Sequence, residues 1–125
     1  MPKYLISFDQ GWMNFPEEEG PEVGRAVYAV MQQAVDEGTF VFAAGLPEDV
    51  RTDVVTVDGM VTDGPYPETK EQLAGFAVLS LPDREAALTW AAKIAAACRC
   101  SQEVREFPAD PTVDQWMAEQ RSAAS

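Results

Sequence analysis

The densest reactive chemistry in the chain lies in Asp63-Gly64-Pro65-Tyr66-Pro67-Glu68-Thr69-Lys70-Glu71. A desolvated carboxylate acts as a base, an ammonium pairs with an anionic group, and a phenol stacks or hydrogen-bonds. Asp63, Tyr66, Lys70 and Glu71 are therefore the candidate ligand-binding residues. Tyr4, Phe8 and Phe42 from neighbouring strands are the candidate apolar floor, the usual composition of a small-molecule pocket. Gly64, Pro65 and Gly75 shape the loop. Asp63-Gly64-Pro65 makes a tight reversal with glycine in an otherwise strained backbone, and Gly75 lets another backbone approach. Glu68, Lys70 and Glu71 are too densely charged for a core, so they face solvent or line a cleft. The competing reading is a structural loop at the sheet edge. In that case Lys70 bridges Glu68 or Glu71 on the surface, worth at most about 1 kcal/mol.

Other chemistries are narrowed by residue types. The chain has no histidine, which removes Ser-His and Cys-His nucleophile pairs and the commonest metal ligand. Cys98 and Cys100 are the only cysteines, and two residues apart they rarely suit disulfide geometry. Without histidine they cannot complete the usual zinc sets, so no metal and no cofactor is expected. They read as small residues at the end of a helix in a reducing cytoplasm. Acids outnumber bases 21 to 9, a net charge of −12, and the bases are scattered. That repels phosphate backbones, so nucleic acid is not an expected partner. The N-terminal run reaches Asp9 without a signal-peptide core, and no apolar stretch approaches the roughly 20 residues of a spanning helix. The expectation is a cytoplasmic protein with no membrane partner.

These residues must be held by one domain, because 125 residues at 46% hydrophobic and 24% charged suit a single globular core. Tyr4 to Phe8 alternates as a strand, with Tyr4, Ile6 and Phe8 on one face. Asp9 to Gly20 is an irregular loop carrying Trp12, Met13 and Phe15, either a lid or contact surface, or a plug for the chain's own core. Pro21 starts a helix, with Glu17, Glu18, Glu19 and Glu22 near its positive end. Val23, Ala26, Val27, Val30, Met31, Ala34 and Val35 form its apolar face, and Gly38 stops it. Strands follow at Thr39–Ala44, Val54–Val57, Met60–Thr62 and Ala74–Leu81, with Asp58-Gly59 as a hairpin signal. Asp83 caps a second helix whose apolar face is Ala87, Leu88, Trp90, Ala91, Ile94, Ala95 and Cys98. Ser101–Phe107 is a last strand, Thr112 caps a short terminal helix with Val113, Trp116 and Met117, and the tail from Arg121 frays.

The order predicts a ferredoxin-like α+β fold, an antiparallel sheet with two helices on one face and an extra short C-terminal helix. Phe76 and Val78 alternate with Ala77, Leu79 and Leu81, and Phe40 and Phe42 with Val41 and Ala43, so both sheet faces look buried. Two helices cover one face. A second copy of the chain is the simplest cover for the other, which predicts a homodimer or a dimer of dimers.

The stretch Asp63-Gly64-Pro65-Tyr66-Pro67-Glu68-Thr69-Lys70-Glu71-Gln72-Leu73-Ala74-Gly75-Phe76 resembles the signature of the YCII-related family, specifically its DGPF branch. The pattern there is Asp-Gly-Pro-aromatic, then Glu-x-Lys-Glu, then a hydrophobic residue, glycine and an aromatic. Tyr66 stands where that branch has Phe. Val61-Thr62 before the motif, and Ala86–Ala91 and Glu103-Val104-Arg105 after it, fit as well. The resemblance covers residues 3 to 107, setting out a domain over 1–107 and a C-terminal extension over 108–125. It implies a ferredoxin-like subunit paired into a dimeric α+β barrel, with a cleft between sheet and loops. DGPF members are often encoded beside extracytoplasmic-function sigma factors, which implies a role in bacterial stress physiology. A related branch is thought to use a His–Asp pair. The histidine position falls near Val27 and the acid position near Glu48 and Asp49, so the dyad cannot operate here.

Three functions compete. One is a small-molecule-binding or regulatory protein. The second is an enzyme using Asp63 or Asp49 with Lys70 for acid–base work. The third is a module whose acidic surface recruits a basic protein. A closed concave pocket favours the first two, and a filled interior with an exposed apolar patch favours the third.

Overall fold

The structure is a computed structural model describing residues 1–65 and 71–124. Strand β1 (Lys3–Asp9) leads through one 3-10 turn at Glu17–Glu19 into helix α1 (Gly20–Asp36) and strand β2 (Phe40–Gly45). A ribbon of β3 (Asp53–Val55) and β4 (Val61–Asp63) precedes β5 (Leu73–Ser80). Helix α2 (Arg84–Cys98), β6 (Glu103–Glu106) and α3 (Pro111–Ala124) complete the chain. The main sheet is antiparallel in the order β2-β5-β1-β6, and β3 pairs with β4 alone. With the ribbon set aside as an insertion, this is the ferredoxin-like α+β arrangement that the element order predicts.

Local chemistry explains the boundaries. Pro21 sits in the first turn of α1, where its missing N–H leaves no intrahelical bond unmade. Gly38 ends the helix with φ of 75°. Asp83 caps α2, accepting from the Ala86 backbone N–H at 2.9 Å. Arg99 closes α2 in the left-handed region, with φ of 59°. Its guanidinium bridges back to Glu19 and Glu22 at the start of α1, tying the two helices together at this end. Helix α3 is capped by Asp110 rather than Thr112: Asp110 accepts from the Val113 N–H at 3.1 Å, and Pro111 takes the first helical position. The helix runs to Ala124, past Arg121, where the tail is expected to fray.

The core lies between α1, α2 and one sheet face. Tyr4, Ile6, Ala77 and Leu79 come from the sheet, Ala34 from α1, and Ala87, Trp90, Ala91, Ile94 and Cys98 from α2. The helix faces are narrower than the spacing predicts, for Ala26, Val35 and Leu88 are exposed. A register shift between Phe40 and Phe42 separates two aromatics expected to share a face. Phe40 pairs with Leu79 and packs on the core, whereas Phe42 pairs with Val78 on the opposite face. An irregularity of this kind inverts the alternation downstream of it.

That opposite face carries Leu5, Phe42, Ala44, Phe76 and Val78, and no helix among the described residues covers it. The Phe42 and Phe76 rings stand 5.8 Å apart, and Phe42 is 54% exposed. At one flank Arg105 reaches over the sheet and donates to the Ser7 hydroxyl at 3.3 Å, sealing Ser7 from solvent. Helix α3 lies at the surface, with Val113 and Trp116 exposed.

Candidate functional site

The interior is not filled. Between the helix-facing side of the sheet and the two helices is a cavity of about 540 Å³. Its deep wall is Ile6 and Ala77 from the sheet, Val27 and Met31 from α1, and Ile94 and Cys98 from α2. Its mouth lies where β1 ends and β2 turns away, formed by Asp9, Gln10, Gly11 and Met13 on one side and Gly45, Leu46 and Pro47 on the other. From the irregular stretch after β1, Met13 packs against the core, as the plug reading expects, while Trp12 stays 39% exposed.

The rim is held by backbone and amide bonds. The Gln10 side-chain N–H donates to the Leu46 carbonyl at 2.6 Å, clasping the two sides of the mouth. The Gln10 backbone N–H bonds Gln72 O at 2.8 Å, and Leu46 N–H bonds Ala74 O at 2.6 Å. Gly75 sits under the ring of Phe8, where an added Cβ would stand 2.6 Å from a ring carbon. The close approach expected at Gly75 is thus made by an aromatic side chain rather than by another backbone. Phe8 and Gly75 both line the cavity.

Polar chemistry in the cavity is sparse. Asp9 is the only charged residue among the described lining residues. Burial pushes the Cys98 thiol up from its ordinary 9.0 to about 11, so a neutral thiol faces the cavity near pH 7. Gln102, also on the lining, donates to the Cys100 carbonyl at 3.4 Å. Both cysteines are free.

The sequence-derived candidates fall in several places. Phe8 lines the cavity. Tyr4 is buried in the core, and its hydroxyl donates to Glu106 at 2.7 Å. That carboxylate, with burial, holds the phenol pKa above its ordinary value. Phe42 lies on the uncovered sheet face. Asp63 ends β4, opposite Asp53, and is exposed, as is Glu71. Tyr66 and Lys70 lie outside the described residues. Gly64 does not adopt the positive φ expected of it. Its demand is for space, because a Cβ there would stand 3.0 Å from methyls of both Thr52 and Val54. The Gly64–Pro65 bond is cis. Asp49 and Glu48 are exposed, while Val27, the position read against the dyad's histidine, lines the cavity wall. Sequence reasoning missed Asp9, Met31 and Cys98 as lining residues. Their signal was the meeting of a strand end with two helix faces, which becomes visible only once those faces are paired.

The architecture places the chain among ferredoxin-like α+β domains with a hollow between sheet and helices. The family model of the YCII-related domain matches residues 5–108, and the chain belongs to that family. Helix α3 lies beyond the matched residues. No curated protein sequence matches the chain. Among the described residues no group of three or more His, Cys, Asp or Glu is placed to hold a metal ion. No helix among them is long and apolar enough to cross a membrane.

Proposed function

We propose that this chain is a small-molecule-binding protein of the DGPF branch of the YCII-related family, a cytoplasmic homodimer without the His–Asp dyad. The carrying observation is the cavity of about 540 Å³, which falls in the range of small-molecule sites and is lined mainly by apolar side chains. The domain over 1–107 carries the cavity, and the extension over 108–125 adds α3. The uncovered sheet face supports pairing with a second copy, since Leu5, Phe42, Phe76 and Val78 form an apolar surface on a rigid frame.

A thermal-shift screen of metabolites tests the binding reading, because a ligand that binds only the folded state raises its apparent stability. Compounds that stabilise the protein are retested on Met31→Trp, whose indole narrows the cavity, with circular dichroism checking that the variant still unfolds cooperatively. Binding in the cavity predicts that the stabilisation by these compounds changes in the narrowed variant. Hits whose stabilisation is the same in both proteins, or a broad screen without hits, overturn the reading.

A further inference from the structure

We propose that the ligand of this cavity is a lipophilic amine, its apolar body between sheet and helices and its ammonium against the Asp9 carboxylate at the mouth. The inference rests on the small-molecule reading and adds the chemical class. The wall selects the body. Ile6, Phe8, Val27, Met31 and Ile94 offer hydrocarbon and aromatic surface, with no charged group beyond the rim among the described lining residues. A ligand charged at its centre would lose hydration there without gaining a partner.

The rim selects the head group. Asp9 is the single charge on the described lining, and no hydrogen bond or ion pair engages its carboxylate among the described residues. No cationic side chain lines the cavity among the described residues, and each lining glutamine amide already spends a donor on a carbonyl, Gln10 on Leu46 at 2.6 Å and Gln102 on Cys100 at 3.4 Å. A carboxylate as the single charge suits a group that donates and carries positive charge. The Cys98 thiol, neutral near pH 7, leaves the deep end without a second charge. The wider field acts in the same direction: a net charge of −12 raises the local concentration of cations and lowers that of anions.

Three probes of matched length separate body from head: octanol, octylamine and octanoate, titrated by calorimetry at near-physiological salt. Octanol binding tests the cavity itself. The amine preference tests the inference. Octylamine is expected to bind roughly fivefold to tenfold tighter than octanol, as one partly exposed charge-assisted contact provides, with octanoate weaker than both. Octylamine must also displace octanol, which diffuse attraction to an acidic surface does not do. In Asp9→Asn, which keeps size and polarity, the amine should fall to the affinity of octanol while octanol is unchanged. If octanol binds but the amine shows no advantage, or keeps its advantage in Asp9→Asn, the amine inference is overturned and the cavity reading stands. If none of the three binds the folded protein, both are overturned.

Discussion

The two faces of the four-stranded sheet use nearly the same residue types and end in different states. On the helix side Ile6 and Leu79 are fully sealed, at 0% exposure. One residue along, Leu5 and Val78 are only half-buried, and Phe42 opposite Val78 is 54% exposed. Apolar composition therefore does not by itself define a core. What differs is the cover, since α1 and α2 descend on one side and nothing among the described residues descends on the other. The covered side even carries surplus room, the cavity, while the open side carries surplus apolar surface.

Substitutions on adjacent residues of β5 measure this contrast most directly. Leu79→Ala removes a fully buried side chain and should lower the unfolding free energy by about 3 kcal/mol, read from the urea midpoint. Val78→Ala, facing the open side, should cost less than about 1 kcal/mol in a dissociated chain. Equal losses would mean that the open face is packed as tightly as the other. Assembly gives the second half of the same test. Phe42→Asp should leave a cooperatively folding chain but reduce the light-scattering mass to the 13.7 kDa of one copy. A wild-type protein that already scatters at that mass at micromolar concentration refutes cover by a second copy.

A smaller effect isolates the cavity wall. Gly75→Ala forces the Phe8 ring away from a contact of 2.6 Å and should cost about 1–3 kcal/mol. In a Phe8→Leu background most of that cost should disappear, as a thermal-melt double-mutant cycle will show. An undiminished cost there assigns the strain to the backbone instead.

The smallest effect is a pH dependence of the covered side. Burial disfavours the Cys98 thiolate in the folded chain, raising its pKa from 9.0 to about 11. Below pH 9 both folded and unfolded chains carry the thiol and the group contributes no pH dependence. Above that the unfolded chain loses the proton first, so stability falls until about pH 11. The difference in urea midpoint between wild type and Cys98→Ala should therefore change across this window and be flat below it. A flat difference throughout would show that solvent reaches the sulfur.

Much of this architecture was legible because it depends on local chemistry. Gly38 and Asp83 mark helix ends through backbone freedom and a capping carboxylate, and the Asp58-Gly59 turn joins β3 to β4 as its residue types require. The fold class followed from element order. The site was less legible. The loop richest in charge drew attention by composition, yet Asp63 and Glu71 stand in solvent. The cavity is walled by ordinary Val, Met and Ile residues that look like any core. Whether such residues touch or leave a gap depends on how far apart the sheet holds the helices, a distance no periodicity encodes. The irregularity at Val41, which carries Phe42 to the far face, is equally silent in the sequence because Phe40-Val41-Phe42 alternates perfectly.

The three tryptophans happen to sample three compartments of this molecule. Trp90 lies in the core at 6% exposure, with the Lys93 ammonium 4.5 Å from its ring centre. Trp12 lies between the cavity-lining residues Gly11 and Met13 at 39%, and Trp116 rides on α3 at 59%. Their indoles emit at wavelengths set by local polarity, and a dissolved quencher reaches them in order of access. Intrinsic fluorescence thus carries three separable signals without any label. Trp90 reports global unfolding, Trp12 reports occupation of the mouth, and Trp116 reports whatever settles against the terminal helix. Single Trp→Phe replacements assign each component, so occupancy, assembly and folding can be followed in one cuvette.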